Sequence, residues 1–170
     1  ETLWQDLRRV AGTVGHVAMY IGNGHAGWEA ANANMFSRGE KALVLATGQF
    51  GISWANSARA MGIEVEVLDF GKSSPADFAQ VEAALRADRG HKIKAVLTTQ
   101  VDTASSIRTD IAGLRRAMDA AGHPALLAVD CIASLGCDEF RMDDWGVDVM
   151  VAACQKGLMT PPGLAFVWFS

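Results

Sequence analysis

The sequence predicts a three-layer α/β/α domain with a mostly parallel sheet, and three observations support this fold class. Short apolar runs alternate with stretches of helical periodicity along the chain, which is the pattern of repeated βα units. Glycine or polar turns separate these segments. The 170 residues, of which 50% are hydrophobic, are enough for one domain with an ample core. We therefore treat residues 1–170 as one domain.

The first part of the chain predicts a helix, a strand and a second helix. Thr2 and Gln5 form a capping box before apolar residues at helical spacing, so the first helix should end near Gly12. Residues 16–21 are apolar and β-rich and predict a strand. A glycine-rich turn follows, and residues 28–36 then predict a helix.

The middle of the chain continues this alternation. Residues 42–46 and 64–68 are short apolar runs that predict strands, and residues 52–61 predict the helix between them. The next helix is expected at 75–87, with Ser74 as its cap and proline at its first position.

The last part predicts four strands and one helix. Residues 93–97 form a strand that leads into a polar loop at 98–109, and residues 111–121 form a helix closed by glycine. The remaining apolar runs predict strands at 125–129, 147–151 and 164–168.

Composition argues against several classes of function. The net charge of −4 and the lack of Lys/Arg clusters argue against nucleic acid as a partner, and no apolar run is long enough to cross a membrane. His16, His91 and His123 lack metal-ligand spacing, so we expect no metal. The three cysteines are an odd number without metal-type pairing, and two of them lie at apolar strand ends, so we expect a reduced, cytoplasmic protein. The sequence starts without methionine and without a leader, so we expect a portion of a longer protein.

Two opposite charges follow two of the apolar runs. Asp130 ends one run, and Lys156 follows another in the stretch 154–163, 26 residues downstream. Ligands of α/β proteins collect at the carboxyl ends of strands, where a partly desolvated lysine can form a Schiff base. Pyridoxal phosphate needs such a lysine for its aldehyde and a carboxylate for its pyridine nitrogen. A structural ion pair explains the same spacing equally well.

The glycine turn matches G-x-G-x-x-G through Gly22, Gly24 and Gly27. A dinucleotide site also requires an acidic residue about 20 positions on, and none ends the next strand. A nicotinamide-dependent oxidoreductase is therefore the weaker alternative. The N-terminus of the following helix suits a single phosphate, with a plain tight turn as the other interpretation.

Further candidate groups lie at other strand ends. His25 lies within the glycine turn, where it either binds a phosphate, lies along an aromatic ring or faces solvent. Phe50 is placed to cover a flat ring, although a core phenylalanine is more common. Thr103 or Ser105 could reach a ring oxygen from the polar loop. An ordinary solvated loop explains these hydroxyl residues equally well. We interpret the five tryptophans, at positions 4, 28, 54, 145 and 168, as packing residues.

These residues together resemble the class V pyridoxal-phosphate aminotransferases, specifically the alanine/serine–glyoxylate aminotransferase group. The resemblance covers nearly the whole chain and is most specific in the spacing from Asp130 to Lys156 and in the Gln-Lys and Pro-Pro-Gly segments at 155–163. The glycine turn at 24–31 and the segment 129–136 support it. It implies the large domain of the fold type I pyridoxal-phosphate enzymes.

The resemblance also implies a role for each candidate. Lys156 would bind the cofactor and move the substrate proton, and Asp130 would contact the pyridine nitrogen. Phe50 would stack on the ring. Thr103 and Gln155 would bind the ring oxygen, while the phosphate would be held by Asn23, Gly24 and His25. The family is dimeric, with a shared active site and with an N-terminal segment and a small C-terminal domain that we do not find in this sequence.

Three positions depart from the family pattern. Asn23 replaces a serine, Ser106 replaces the last glycine of a loop, and Cys154 replaces the serine before Gln-Lys. These changes leave open a relative that keeps the fold without turnover. A desulfurase or kynureninase-like lyase is the nearest enzymatic alternative, but desulfurases carry histidine where this chain has Phe50 and Gln155, which favours transamination.

Overall fold

The computed structural model describes residues 2–170, which form a sheet covered by helices on both faces. The helices are α1 (Leu3–Ala11), α2 (Gly24–Met35), α3 (Gln49–Ala60), α4 (Phe78–Ala87) and α5 (Ile111–Ala121). The strands are β1 (His16–Gly22), β2 (Lys41–Ala46), β3 (Glu64–Asp69), β4 (Ile93–Thr99), β5 (Val101–Asp102), β6 (Ile107–Arg108), β7 (Leu126–Asp130), β8 (Val149–Ala153) and β9 (Gly163–Phe169).

The strand order of the main sheet is β1-β9-β8-β7-β4-β2-β3. The strands from β8 to β3 in this order run parallel, whereas β9 is antiparallel to both of its neighbours, β1 and β8. Because β1 and β8 both oppose β9, they point in the same direction. The carboxyl ends of β1, β2, β4, β7 and β8 therefore meet at one edge, and the predicted mostly parallel α/β/α fold is confirmed.

The core lies on both faces of the sheet. Leu43 and Leu45 of β2 belong to the layer that contains α1, α4 and α5, while Ala42 and Val44 face the layer of α2 and α3. Both faces of β2 are thus buried, which explains why its sequence is continuously apolar rather than alternating.

The helix starts differ most from the sequence prediction. The predicted start of α4 at 75, with Ser74 as cap, is wrong because the Asp77 side chain accepts the Ala79 amide hydrogen at 3.0 Å and caps the helix there. Both α2 and α3 begin earlier than predicted, at Gly24 and Gln49. The Asn23 side chain caps α2, and Asp102 accepts the amide hydrogens of Phe50 and Gly51 at the start of α3.

The later strands differ by one or two residues from the prediction. β7 and β8 each extend further toward the carboxyl edge, since their parallel register joins Ala128 to Val149. The loop predicted at 98–109 contains the short antiparallel ribbon β5–β6. Within residues 2–170, no helix combines the length and apolarity that a bilayer crossing needs.

Candidate active site

A cavity of about 200 Å³ opens at the edge where the carboxyl ends of β1, β2, β4, β7 and β8 meet. Its lining includes all of the site residues proposed from the sequence: Asn23, Gly24, His25, Phe50, Thr103, Asp130, Gln155 and Lys156. It also includes Trp28, Val101, Ile132 and Ala133. The fold therefore brings together residues from both halves of the chain.

Asp130 is the last residue of β7 and is only 4% exposed. Its Oδ1 accepts the Ile132 amide hydrogen at 2.6 Å, and its Oδ2 accepts the Trp28 indole hydrogen at 3.0 Å. Burial raises the pKa of Asp130 to about 7, against the effect of these two hydrogen bonds. The negative charge of Asp102 also raises this pKa, while Lys156 lowers it. The carboxyl group is thus poised to ionise near neutral pH.

Lys156 lies in the turn after β8, the strand that pairs with β7. Its side chain is exposed within residues 2–170, so the partial desolvation expected from the sequence is not provided by this part of the protein. Gln155 beside it is half-buried, and its Oε1 is buried without a hydrogen-bond partner in the described chain. Gln155 therefore brings an unpartnered hydrogen-bond acceptor to the cavity wall.

The N-terminus of α2 forms another wall of the cavity. The Asn23 side chain caps the helix by accepting the Ala26 amide hydrogen at 3.2 Å. The amides of Gly24 and His25 belong to the first turn, where no intrahelical acceptor exists, so they suit an anion. A Cβ at Gly24 would overlap the end of the Ile132 side chain, which would have to move to admit a larger residue.

Phe50 and Thr103 are held by one buried carboxylate. Asp102 is fully buried in the ribbon, and it accepts the amide hydrogens of Phe50 at 2.8 Å and of Gly51 at 3.0 Å. Its other oxygen accepts the Ala104 amide hydrogen at 2.9 Å. Asp102 therefore caps α3 and fixes the loop that carries Thr103.

Sequence reasoning missed Trp28 and Asp102. The interpretation of Trp28 as a packing residue is incomplete, because its indole also bonds Asp130 in the cavity wall. The signal was available, since Trp28 lies one helical turn after Gly24 and so faces the same end of the sheet. Asp102 has a weaker signal in Gly48, where a Cβ would overlap its carboxyl group.

The departures from the family pattern have local explanations. Ser106 has a φ of 60°, a left-handed conformation that glycine adopts more easily. Ser105 Oγ accepts the Ile107 amide hydrogen at 3.2 Å and is not among the residues lining the cavity. Cys154 Sγ donates to the Pro161 carbonyl at 2.9 Å, a contact that a hydroxyl could also make.

Comparison with known proteins assigns the family. The family described as Aminotransferase class-V matches residues 20–170. The chain belongs to the class-V aminotransferase family. An L-aspartate–glyoxylate aminotransferase of Paracoccus denitrificans is 45% identical over 160 residues, 93% of this chain and 40% of that protein. A serine–glyoxylate aminotransferase of Methylorubrum extorquens is 40% identical over 169 residues, 99% of this chain and 42% of that protein.

A solved structure of a subgroup IV aspartate aminotransferase from Thermus thermophilus superposes with a TM-score of 0.89 at 30% identity. The match covers 98% of this chain and 46% of that one. This class-V chain spans about two-fifths of the length of the curated relatives that it matches.

The donor set of the cavity fits pyridoxal phosphate, the cofactor that the sequence resemblance implies. The buried Asp130 has no cation bonded to it within residues 2–170, and Gln155 lines the cavity with an unpartnered acceptor, its Oε1, which suits a hydroxyl group on the ring. The first turn of α2 offers free amides for a phosphate. No group of three or more metal-ligating side chains occurs in the described part of the chain.

Proposed function

We propose that this chain is the cofactor-binding part of a pyridoxal-phosphate-dependent aminotransferase. The enzyme would transfer the amino group of a small amino acid, of the serine or alanine type, to a small 2-oxo acid such as glyoxylate. The observation that most directly supports this function is that Lys156 and Asp130 line one cavity together with the N-terminus of α2. The names of the relatives include serine and aspartate as amino donors and glyoxylate as acceptor.

The bound cofactor would supply an electron-accepting ring conjugated to the substrate nitrogen. Lys156 Nζ would hold its aldehyde in the resting enzyme and, once released by the incoming amino acid, would move the proton from the substrate Cα to the cofactor carbon that carried the aldehyde. Asp130 would keep the ring nitrogen protonated through its negative charge. Its pKa of about 7 allows this carboxyl group to be ionised above neutral pH.

The other cavity residues would orient the ring. Phe50 would cover one face, and Thr103 with Gln155 would bind the ring oxygen. The phosphate would lie at the first turn of α2, held by the amides of Gly24 and His25 and by the side-chain amide of Asn23.

We extend the proposal to the whole protein, which would add an N-terminal segment and a small C-terminal domain. These parts and a second copy in a homodimer would cover the exposed Lys156 and complete the site. The free thiols of Cys131, Cys137 and Cys154 support a reducing, cytoplasmic location.

The test uses the full-length protein that contains this chain, purified with pyridoxal phosphate available. We expect the visible absorbance of a lysine-bound cofactor, and we expect Lys156→Ala to lose both this absorbance and turnover. Lys72→Ala is the matched control, because Lys72 is exposed and does not line the cavity. A colourless wild-type protein would contradict the proposal.

A panel of amino acids would then separate the alternatives. An aminotransferase converts its bound cofactor to the pyridoxamine form when a donor is added without an acceptor. A desulfurase or lyase would release sulfur or a cleaved product instead, and a non-catalytic relative would show no spectral change. The amino acid that gives the fastest conversion identifies the donor.

A further inference from the structure

The Trp28 indole is the side-chain donor that contacts Asp130. Trp28 lies in the second turn of α2 and is fully buried, and its Nε1 is 3.0 Å from Asp130 Oδ2. The other carboxylate oxygen accepts a backbone hydrogen, from Ile132 at 2.6 Å. The hydrogen bond from the indole therefore fixes the position of Oδ2. Both Trp28 and Asp130 line the cavity.

The ring of Trp28 is held by aromatic contacts. Trp54 stacks on it with 5.8 Å between ring centroids and 8° between planes. The His25 ring meets it edge-on at 4.5 Å. Trp54 is fixed in turn, because its Nε1 donates to Asn32 Oδ1 at 3.1 Å. These contacts restrict rotation of the Trp28 indole, so its N–H stays directed at Asp130.

The electrostatic surroundings of Asp130 make this hydrogen bond important. Burial and the negative Asp102 favour the protonated acid, while Lys156 favours the carboxylate. His25 is the further titratable side chain in the cavity lining, and the buried Cys131 thiol follows Asp130 directly. The Trp28 N–H favours the carboxylate, as Lys156 does, because a hydrogen-bond donor stabilises the ionised form.

We propose that Trp28 is a positioning residue that orients Asp130 and keeps it ionised for the pyridine nitrogen of the cofactor. This role rests on the proposed function and deepens it. It concerns a residue of α2 whose side chain acts through Asp130 rather than on the substrate.

The test compares Trp28→Phe with Trp54→Phe in the full-length protein. Both substitutions keep an aromatic ring in the stack and remove one buried indole N–H, from Asp130 in the first case and from Asn32 in the second. The probe is pyridoxine 5′-phosphate, which has the ring and the phosphate but no aldehyde for Lys156. Its dissociation constant is measured from pH 5.5 to pH 9 in cofactor-free protein.

We expect Trp28→Phe to bind the probe about tenfold more weakly at pH 7 than the wild type, since a hydrogen bond to a charged group is lost. The midpoint of the pH dependence should rise by about one pH unit, because Asp130 then ionises at higher pH. We expect Trp54→Phe to leave this midpoint unchanged. Equal midpoints in the two variants would overturn the role of Trp28.

A cofactor-independent measurement uses infrared difference titration of the cofactor-free protein. The band of the protonated Asp130 acid, assigned by its loss in Asp130→Asn, should persist to higher pH in Trp28→Phe than in Trp54→Phe. If Trp28→Phe does not fold, 3-benzothienylalanine at position 28 replaces the indole N–H by sulfur while it keeps the bicyclic shape. An unshifted infrared titration in that protein would overturn the proposal.

Different results would contradict the proposed function and the role of Trp28. A wild-type protein that does not bind the probe contradicts the proposed function and the cofactor role of Trp28 together. A wild-type protein that binds the probe, with variants that share one pH midpoint, contradicts only the inference about Trp28.

Discussion

Asp130 at one end of the sheet is buried and Asp88 at the other end is half-buried, and their pKa values are shifted in opposite directions. Burial raises the pKa of Asp130 to about 7. Burial also acts to raise the pKa of Asp88, but hydrogen bonds from the Ile93 and Lys92 amides and from His123 outweigh it and lower that pKa below its ordinary value. Burial and hydrogen-bond partners together therefore set the acidity of each carboxyl group.

Hydrogen-bond donors of the chain itself surround the Asp88 carboxylate. Its Oδ2 accepts the Ile93 amide hydrogen at 2.6 Å and lies 3.3 Å from His123 Nε2. His123 Nδ1 accepts the Ala125 amide hydrogen at 3.1 Å, so the neutral ring carries its hydrogen on Nε2 and donates to Asp88. Asp88 therefore joins the ends of α4 and α5 to the strands that follow them.

A carboxylate with a structural role and one that faces a ligand cavity differ in their partners. Asp88 faces a titratable partner of this chain, whereas Asp130 faces a cavity and receives neutral donors. A cation that enters the cavity would lower the free energy of the ionised Asp130. Burying the ionised Asp130 without a bonded cation costs free energy. A cationic ligand group that binds there removes this cost, which favours ligand binding.

The largest expected effect comes from Asp130→Asn in the full-length enzyme. We expect kcat/KM to fall by about a thousandfold, because a buried charge partner of the cofactor is lost. Asp88→Asn is the matched control and should leave kcat/KM within about twofold. Steady-state kinetics at saturating cofactor measures both, and equal losses in the two variants would remove the distinction between the two ends.

The second largest effect is on stability, which we expect Asp130→Asn to increase although it lowers activity. The folded pKa of Asp130 is raised, so its contribution is fully favourable below the unfolded pKa of about 3.9 and is lost as the pH rises through about 7. That difference corresponds to about 4 kcal/mol. Since asparagine satisfies fewer donors, we expect Asp130→Asn to stabilise cofactor-free protein by about 2 kcal/mol at pH 8.

Urea denaturation at pH 5 and pH 8 measures this change in the free energy of unfolding. The advantage of Asp130→Asn should disappear at pH 5, where the acid of the wild type is neutral. A difference that stays constant between the two pH values would show that Asp130 does not titrate in this range.

A smaller effect of the opposite sign is expected for Asp88→Asn. The folded pKa of Asp88 is lowered, so its contribution is present above the unfolded pKa of about 3.9 and is lost as the pH falls through the folded pKa. We expect a loss of about 1 kcal/mol in the free energy of unfolding at pH 7. The same urea experiment tests it, and a stabilised Asp88→Asn protein would contradict the comparison.

The smallest effect concerns the left-handed residue near the cavity. Ser106→Gly should stabilise the protein by about 0.5 kcal/mol, because glycine relieves the positive φ but gains freedom in the unfolded chain. Ser105→Gly is the control and should destabilise it, since Ser105 has no positive φ and its Oγ bonds the Ile107 amide. Thermal unfolding compares the two.

Local patterns predicted the layers, the element order and the strand-end residues of the site. Asp130 and Lys156 could be found because each directly follows an apolar run. The contacts that sequence reasoning missed join distant residues, as Trp28 does with Asp130, 102 positions apart. The start of α3 was missed for the same reason, because its cap is Asp102 rather than a neighbour in sequence.

The position of β9 between β1 and β8 has a consequence for synthesis on the ribosome. β1 contacts the sheet through β9, its neighbour from Gly163 to Phe169. The early strand that leads into the α2 N-terminus must therefore wait for a segment translated almost 150 residues later. During that interval the backbone N–H and C=O groups of β1 lack their strand partner, so the nascent chain exposes an unpaired strand.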